Sequence, residues 1–233
     1  MFRYTGQELD IFAHATNWRK YWSSEIKAYL SGDVLEVGAG LGTNTEFLRG
    51  TRVRSLVCLE PDADLATRMR ERFVREGNSA DRQVEIGTLE TLSLEHRFDA
   101  VVYIDVLEHI ERDGEELLRA AKFLRSAGKI VVLAPAHQWL YSRFDRAIGH
   151  CRRYNKKSFL GLSPANCRLK RLAYLDSAGM LASIANRLFL RRSTPNFKQI
   201  VFWDRYLIQL SRLLDRLTFN QLGKSILAVW EKS

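Results

Sequence analysis

The residues best placed to do chemistry are an acid and three glycines. Val34-Leu35-Glu36-Val37-Gly38-Ala39-Gly40-Leu41-Gly42 is an apolar run that carries Glu36 near its end and then sets glycine at every second position. Such a run predicts a buried strand followed by a tight turn into a helix. Glycines there strip the backbone of Cβ atoms where a ligand must lie against it. A nicotinamide site spaces its glycines G-x-G-x-x-G and sets a pyrophosphate on the helix N-terminus. Here the third glycine falls one residue early. Glu36, two residues before Gly38, would repel a diphosphate and suits a cationic ligand. Glu60 closes a second apolar run, 24 positions beyond Glu36. That is close to the offset at which an acid takes the two hydroxyls of a ribose.

Alternating elements must hold these groups. Val34–Val37, Val53–Glu60, Val84–Ile86, Ala100–Ile104 and Lys129–Ala134 read as strands. Thr43–Arg49, Asp62–Glu76 and Asp113–Leu124 read as helices between them, with Asp62 and Asp113 as N-caps. Glu115 and Glu116 in the first turn of the third helix, with Lys122 and Arg125 in its last, suit the helix dipole. Strands alternating with helices predict a parallel sheet covered on both faces. Residues 1–32 are helical in character and rich in aromatics. After Pro135 the rhythm changes: 136–157 is polar and aromatic, and a loop of that length is often functional. Arg168–Leu175 reads as a strand, Ile200–Leu217 repeats apolar residues at helical spacing, and Ser225–Trp230 is a last apolar strand.

The chain has 233 residues, 46% hydrophobic, which fits one domain. Its expected parts are a helical cap (1–32), a cofactor-binding core (33–135), a substrate-side loop with helices (136–222) and a final strand (223–233). No apolar run is long enough to span a bilayer and no signal-peptide pattern opens the chain, so the cytoplasm is the simplest compartment. Cys58, Cys151 and Cys167 match no zinc spacing and no disulfide framework, and no metal is expected. The formal net charge is +9, with the excess concentrated after residue 142. A basic balance fits nucleic acid, an anionic membrane surface or an anionic substrate.

Four segments in order resemble class I S-adenosylmethionine (SAM) methyltransferases. They are the glycine turn; Leu59-Glu60-Pro61-Asp62; Gly87-Thr88-Leu89; and Tyr103-Ile104-Asp105-Val106-Leu107-Glu108-His109-Ile110. The last is similar to the D-x-L-E-H segment of the small-molecule branch that includes ubiquinone-biosynthesis O-methyltransferases. Asp145 through Gly149-His150-Cys151-Arg152-Arg153-Tyr154 resembles a bacterial subgroup with a D-x-x-x-G-H-x-R-R-Y segment. The chain lacks the acid the family often has near Thr88, so the adenine amino group would be held by backbone. Leu124-Arg125-Ser126-Ala127-Gly128 departs from the family's L-x-P-G-G turn.

The resemblance implies a doubly wound, Rossmann-like α/β sheet of order 3-2-1-4-5-7-6, with the last strand antiparallel and 177–222 a helical excursion. It implies SAM as cofactor and S-adenosylhomocysteine as product. Glu36, Gly38, Ala39, Gly40, Gly42, Glu60, Pro61, Thr88, Leu89 and Asp105 would bind the cofactor. Asn17 would lie nearest it from an aromatic lid with Trp18 and Tyr21, unless that helix is simply packed. Methyl transfer from a sulfonium is an in-line displacement governed by alignment, and a base is needed only for a protonated acceptor. His109, His137 and an Asp145–His150 pair are the candidate bases. For His109 a packing role, and for the pair a loop-fastening role, stand equally open. Arg152 and Arg153 could clamp a carboxylate or phosphate, or lie on a solvated face. Tyr141 and Tyr154 would wall the pocket.

A small-molecule acceptor is therefore expected, bonded through oxygen, nitrogen or carbon. A nucleic-acid substrate is disfavoured, because Ile104-Asp105-Val106-Leu107 stands where base-methylating enzymes carry [DNS]-P-P-[YF]. A membrane surface is a further candidate partner, prompted by the amphipathic 200–217 stretch. The oligomeric state is open.

Overall fold

The computed structural model describes residues 12–77, 81–185 and 197–233. Seven strands form one sheet in the order β3-β2-β1-β4-β5-β7-β6. They are β1 (Gly32–Val37), β2 (Val53–Glu60), β3 (Arg82–Ile86), β4 (Phe98–Ile104), β5 (Leu124–Pro135), β6 (Cys167–Leu175) and β7 (Ser225–Lys232). The first five run parallel. β7 lies antiparallel between β5 and β6, with Trp230 opposite Ile130 on one side and Leu169 on the other. The expected strand order is the order found.

The period of two in a strand explains the two cores. Val34, Leu56, Ala100, Val102, Val131, Leu133, Leu227 and Val229 face one side, where Trp22, Ile26, Met69, Phe73, Trp203 and Ile208 cover them. Their neighbours Leu35, Val57, Val101, Tyr103, Ile130, Val132, Ile226 and Trp230 face the other, against Leu117, Ala120, Phe123 and Phe159. Burial on both faces is why the central strands read as continuous apolar runs.

Helix boundaries follow local chemistry. Asp62 caps the helix Ala63–Arg75, its Oδ1 accepting from the amides of Asp64 (2.9 Å) and Leu65 (3.1 Å). Asp113 is the first helical residue of Asp113–Phe123 rather than its N-cap. The expected helix Thr43–Arg49 shortens to Thr45–Leu48, because the glycine turn runs on through Gly42, at φ 69°. β5 begins at Leu124, earlier than expected, and passes through Ala127 at φ 60°, where the family's turn has glycine.

The cap helix Thr16–Ile26 buries Trp18, Tyr21, Trp22 and Ile26 against the first core, as a packed helix rather than a free lid. The 200–217 stretch is three pieces: Phe197–Phe202, a π-helical turn Trp203–Leu207 and Ile208–Leu217. Trp203 and Asp204 are both buried although adjacent, and the wider turn accommodates this. Trp203 Nε1 donates to Asp176 Oδ2 at 2.7 Å, while Asp204 accepts from the amides of Asn17 and Trp18. Residues 1–11 and 186–196, with the expected basic residues Arg187, Arg191 and Arg192, lie outside the described residues.

Candidate active site

The glycine turn leaves β1 at the carboxyl end of the sheet, where open α/β sheets bind ligands. Gly38, Gly40 and Gly42 all have positive φ, between 58° and 69°. A Cβ on Gly38 would lie 2.8 Å from both Val106 methyls, so the turn passes hard against the loop that follows β4. The Gly38 amide donates to the Leu59 carbonyl at 2.8 Å and the Gly40 amide to Glu60 Oε2 at 2.7 Å. Glu60 Oε1 accepts from the Asp62 amide at 2.9 Å. Glu60 is thus seated at the tip of β2, 4% exposed, and burial raises its pKa against the pull of those two amides. Pro61 follows it at the rim. Beyond β3, Thr88 is exposed and turned back on Thr91, while Leu89 is buried in the second core.

Two expected cofactor residues point elsewhere. The Glu36 carboxylate is buried, accepting from Thr45 Oγ1 at 2.6 Å. It ties the helix after the glycine turn to β1, and burial pushes its pKa up to about 7. Asn17 donates through Nδ2 to Asp204 at 3.0 Å, fastening the cap to the helical excursion. Arg19, two residues on, reaches the residues just after the glycine turn. It is buried, with Nε on Asn44 Oδ1 (2.9 Å) just after the glycine turn and Nη2 on the Phe12 carbonyl (2.8 Å). Its charge favours ionisation of Asp105. Aromatic content marked the cap in the sequence, and the one buried cation among those aromatics was the signal passed over.

Asp105 ends β4 with φ 55°, its amide bonded to the Leu133 carbonyl at 2.9 Å. It retains an open face, yet the loops crowded around it disfavour its charge and raise its pKa; His150, Lys224, Arg19 and Arg153 oppose that rise.

Segment 136–157 folds onto the loop after β4. Cys151 N donates to the Glu108 carbonyl at 2.8 Å, and Arg152 bonds the carbonyls of Ile110 (3.1 Å) and Glu111 (2.9 Å) and pairs with Asp113 at 2.6 Å. Tyr154 is buried, its hydroxyl donating to Leu107 O (3.1 Å) and Asp113 Oδ2 (2.9 Å). Tyr141 donates to the His150 carbonyl at 2.6 Å. Arg153 forks onto Asp145 through Nε (2.9 Å) and Nη2 (3.0 Å). The two arginines are therefore engaged internally, and Tyr154 does not wall an open pocket: the segment's polar side chains pair with backbone carbonyls that would otherwise be left bare.

The histidines divide. His137 has φ 67°; its Nε2 bonds the Gly223 carbonyl at 3.0 Å and its ring stacks on Tyr174 at 4.7 Å. Burial lowers its pKa. His150 Nδ1 lies 3.0 Å from Asp145 Oδ1. Burial would raise the Asp145 pKa, but hydrogen bonds from His150 and Arg153 hold it below the usual carboxylate range. His109 packs edge-on against His150, centroids 4.6 Å apart, and burial brings its pKa down to about 4. Glu108, buried beside them, was legible as the acid of the D-x-L-E-H segment, but no role for it followed from the sequence.

A hollow of about 410 Å³ lined by Glu46, Arg49, Thr51, Ser55 and Asp81 lies at the amino ends of β2 and β3, the opposite end from these groups. It is not the candidate site.

Residues 35–130 match the family model described as a methyltransferase domain. No curated protein matches the sequence. Among solved structures, an S-adenosylmethionine-dependent methyltransferase from Clostridium acetobutylicum ATCC 824 aligns at TM-score 0.58 and 9% identity, over 94% of this chain and 92% of that one. Coclaurine N-methyltransferase, bound to N-methylheliamine and S-adenosylhomocysteine, aligns at TM-score 0.63 and 12% identity, over 94% and 72%. The [4+2]-cyclase SpnF aligns at 0.63 and 13%, over 93% and 80%. At these identities the likeness is one of fold, and SpnF shows that the same sheet carries other chemistry.

Proposed function

We propose that this chain, an S-adenosylmethionine-dependent methyltransferase with the class I sheet, transfers its methyl group to a small-molecule acceptor held beyond the carboxyl ends of β4 and β5. The observation that carries the reading is the seating of Glu60 on the Gly40 amide, which sets an acid beside a Cβ-free turn. In this reading Glu60 takes the ribose hydroxyls with its remaining lone pairs. Asp105 and Arg19 meet the ammonium and carboxylate of the methionine end. Chemistry rests on aligning acceptor and sulfonium, worth several kcal/mol through effective molarity. The small-molecule class is supported by coclaurine N-methyltransferase, whose structure holds N-methylheliamine. Where the acceptor carries a proton, His109 lies on the turn just after Asp105 and packs against His150, whereas His137 is tied to Gly223.

Calorimetric titration with SAM and with S-adenosylhomocysteine tests this. Micromolar binding of both is expected, abolished by Gly40→Trp. A folded protein that binds neither overturns the reading.

A second reading, an acceptor carried on lipid at a membrane surface, is favoured by one feature. The outer side of 197–217 exposes Phe197, Val201, Phe202, Tyr206, Leu210, Leu213 and Leu217. Its exposed charges are Lys198, Arg205 and Arg216, while its acids, Asp204 and Asp215, are buried. Among the described residues no helix is long and apolar enough to cross a membrane. An apolar face rimmed by cations suits lying on anionic lipid. Flotation with anionic but not neutral vesicles is expected, and its absence removes this reading while leaving the first intact.

A further inference from the structure

We propose that Glu108, His109 and His150 form a binding site for one first-row divalent cation of the zinc class. The site would lie between the turn after β4 and segment 136–157.

Glu108 is the starting point. It sits in the short turn Leu107–His109 and is 0% exposed. Apart from the dipole of its own amide, neither carboxylate oxygen has a hydrogen-bond partner among the described residues. A carboxylate buried in that state is costly, and the usual remedies are an ion pair, a proton or a metal. The group facing it is His150, whose Nε2 lies 3.7 Å from Oε1, outside hydrogen-bond reach.

The tautomer of His150 favours the metal. Its Nδ1 meets Asp145 Oδ1 at 3.0 Å, and a carboxylate held by Arg153 and Ser142 accepts there. In the neutral ring the proton therefore lies on Nδ1, and the Nε2 lone pair is directed toward Glu108. A carboxylate behind an imidazole is the usual outer support of a histidine ligand. His109 brings a second ring, at 87° to the first, and hydrogen-bonds the backbone of Gly149.

One ligand atom from each of the three residues lies within 4.8 Å of the others. Bonds of about 2.1 Å in a tetrahedral site place ligand atoms about 3.4 Å apart, so the site closes with side-chain shifts on the order of 1 Å. Two imidazoles and one carboxylate suit zinc or cobalt better than magnesium. Asp105 and Asp145 add negative potential around Glu108, which a cation would relieve. The ion would also pin segment 136–157 to the loop that carries Asp105.

The test uses the full chain, stripped with a chelator, and reads binding rather than activity, so its failure is distinct from failure of SAM to bind. Cobalt(II) is titrated and followed by its visible absorption, then displaced by zinc. One equivalent is expected, with a rise in Tm. Glu108→Gln and His150→Gln should each weaken binding at least tenfold, and Cys151→Ser, which removes the exposed thiol beside His150, should leave it unchanged. His109→Gln serves where either of the first two fails to fold. The proposal is overturned by no cobalt spectrum with the native chain, by binding that survives the folded variants, or by binding lost in Cys151→Ser.

Discussion

The amide of Gly40 donates to Oε2 of Glu60 at 2.7 Å. The acid at the tip of β2 therefore shapes the glycine turn as well as standing beside it, and cofactor affinity and turn geometry are linked through one side chain.

Glu60→Ala should lower SAM affinity by tenfold or more. It removes charge-assisted bonds to the ribose, about 1.5–3 kcal/mol each at most. It also leaves the Gly40 and Asp62 amides without their acceptor, so Tm should fall as well. Unchanged affinity by calorimetry would remove the ribose assignment.

Glu36 links stability to pH. Its folded pKa, about 7, lies above the ordinary 4.5. The folded state binds the proton more tightly than the unfolded chain. Its contribution is therefore fully present below about pH 4.5 and is lost as pH rises through about 7. Glu36→Gln keeps an acceptor for Thr45 and does not titrate. Urea midpoints measured across that window should decline less in the variant than in the native chain, and parallel curves would refute the assignment.

Arg19→Lys should weaken SAM binding about tenfold. A lysine cannot reproduce the fork that joins Asn44 to the Phe12 carbonyl. The glycine turn would then lose its tie to the cap. An unaltered dissociation constant would leave Arg19 a packing residue.

Tyr154→Phe should cost about 1–2 kcal/mol of stability in denaturant, since its buried hydroxyl bonds Leu107 and Asp113. SAM affinity should stay within about twofold. A raised acceptor KM without loss of stability would return Tyr154 to the pocket wall.

Much of the scaffold was legible because its physics is local. Continuous apolar runs marked Val34–Val37 and Val53–Glu60, a side-chain cap marked Asp62, and positive φ demanded glycine at 38, 40 and 42. From these and the resemblance came the strand order, including the insertion of Ser225–Trp230 between β5 and β6. What remained was the direction of each side chain. Only the packed structure turns Glu36 inward to Thr45, sends Asn17 to Asp204 and Arg19 to Asn44, and brings Glu108 beside His150 across 42 positions of chain. Each of those pairings depends on how separate segments lie against one another: the cap on the helical excursion and the glycine turn, and segment 136–157 on the loop after β4. A side-chain contact between residues far apart in the chain leaves no periodic trace in the sequence, because its geometry is set by the fold that brings the two segments together.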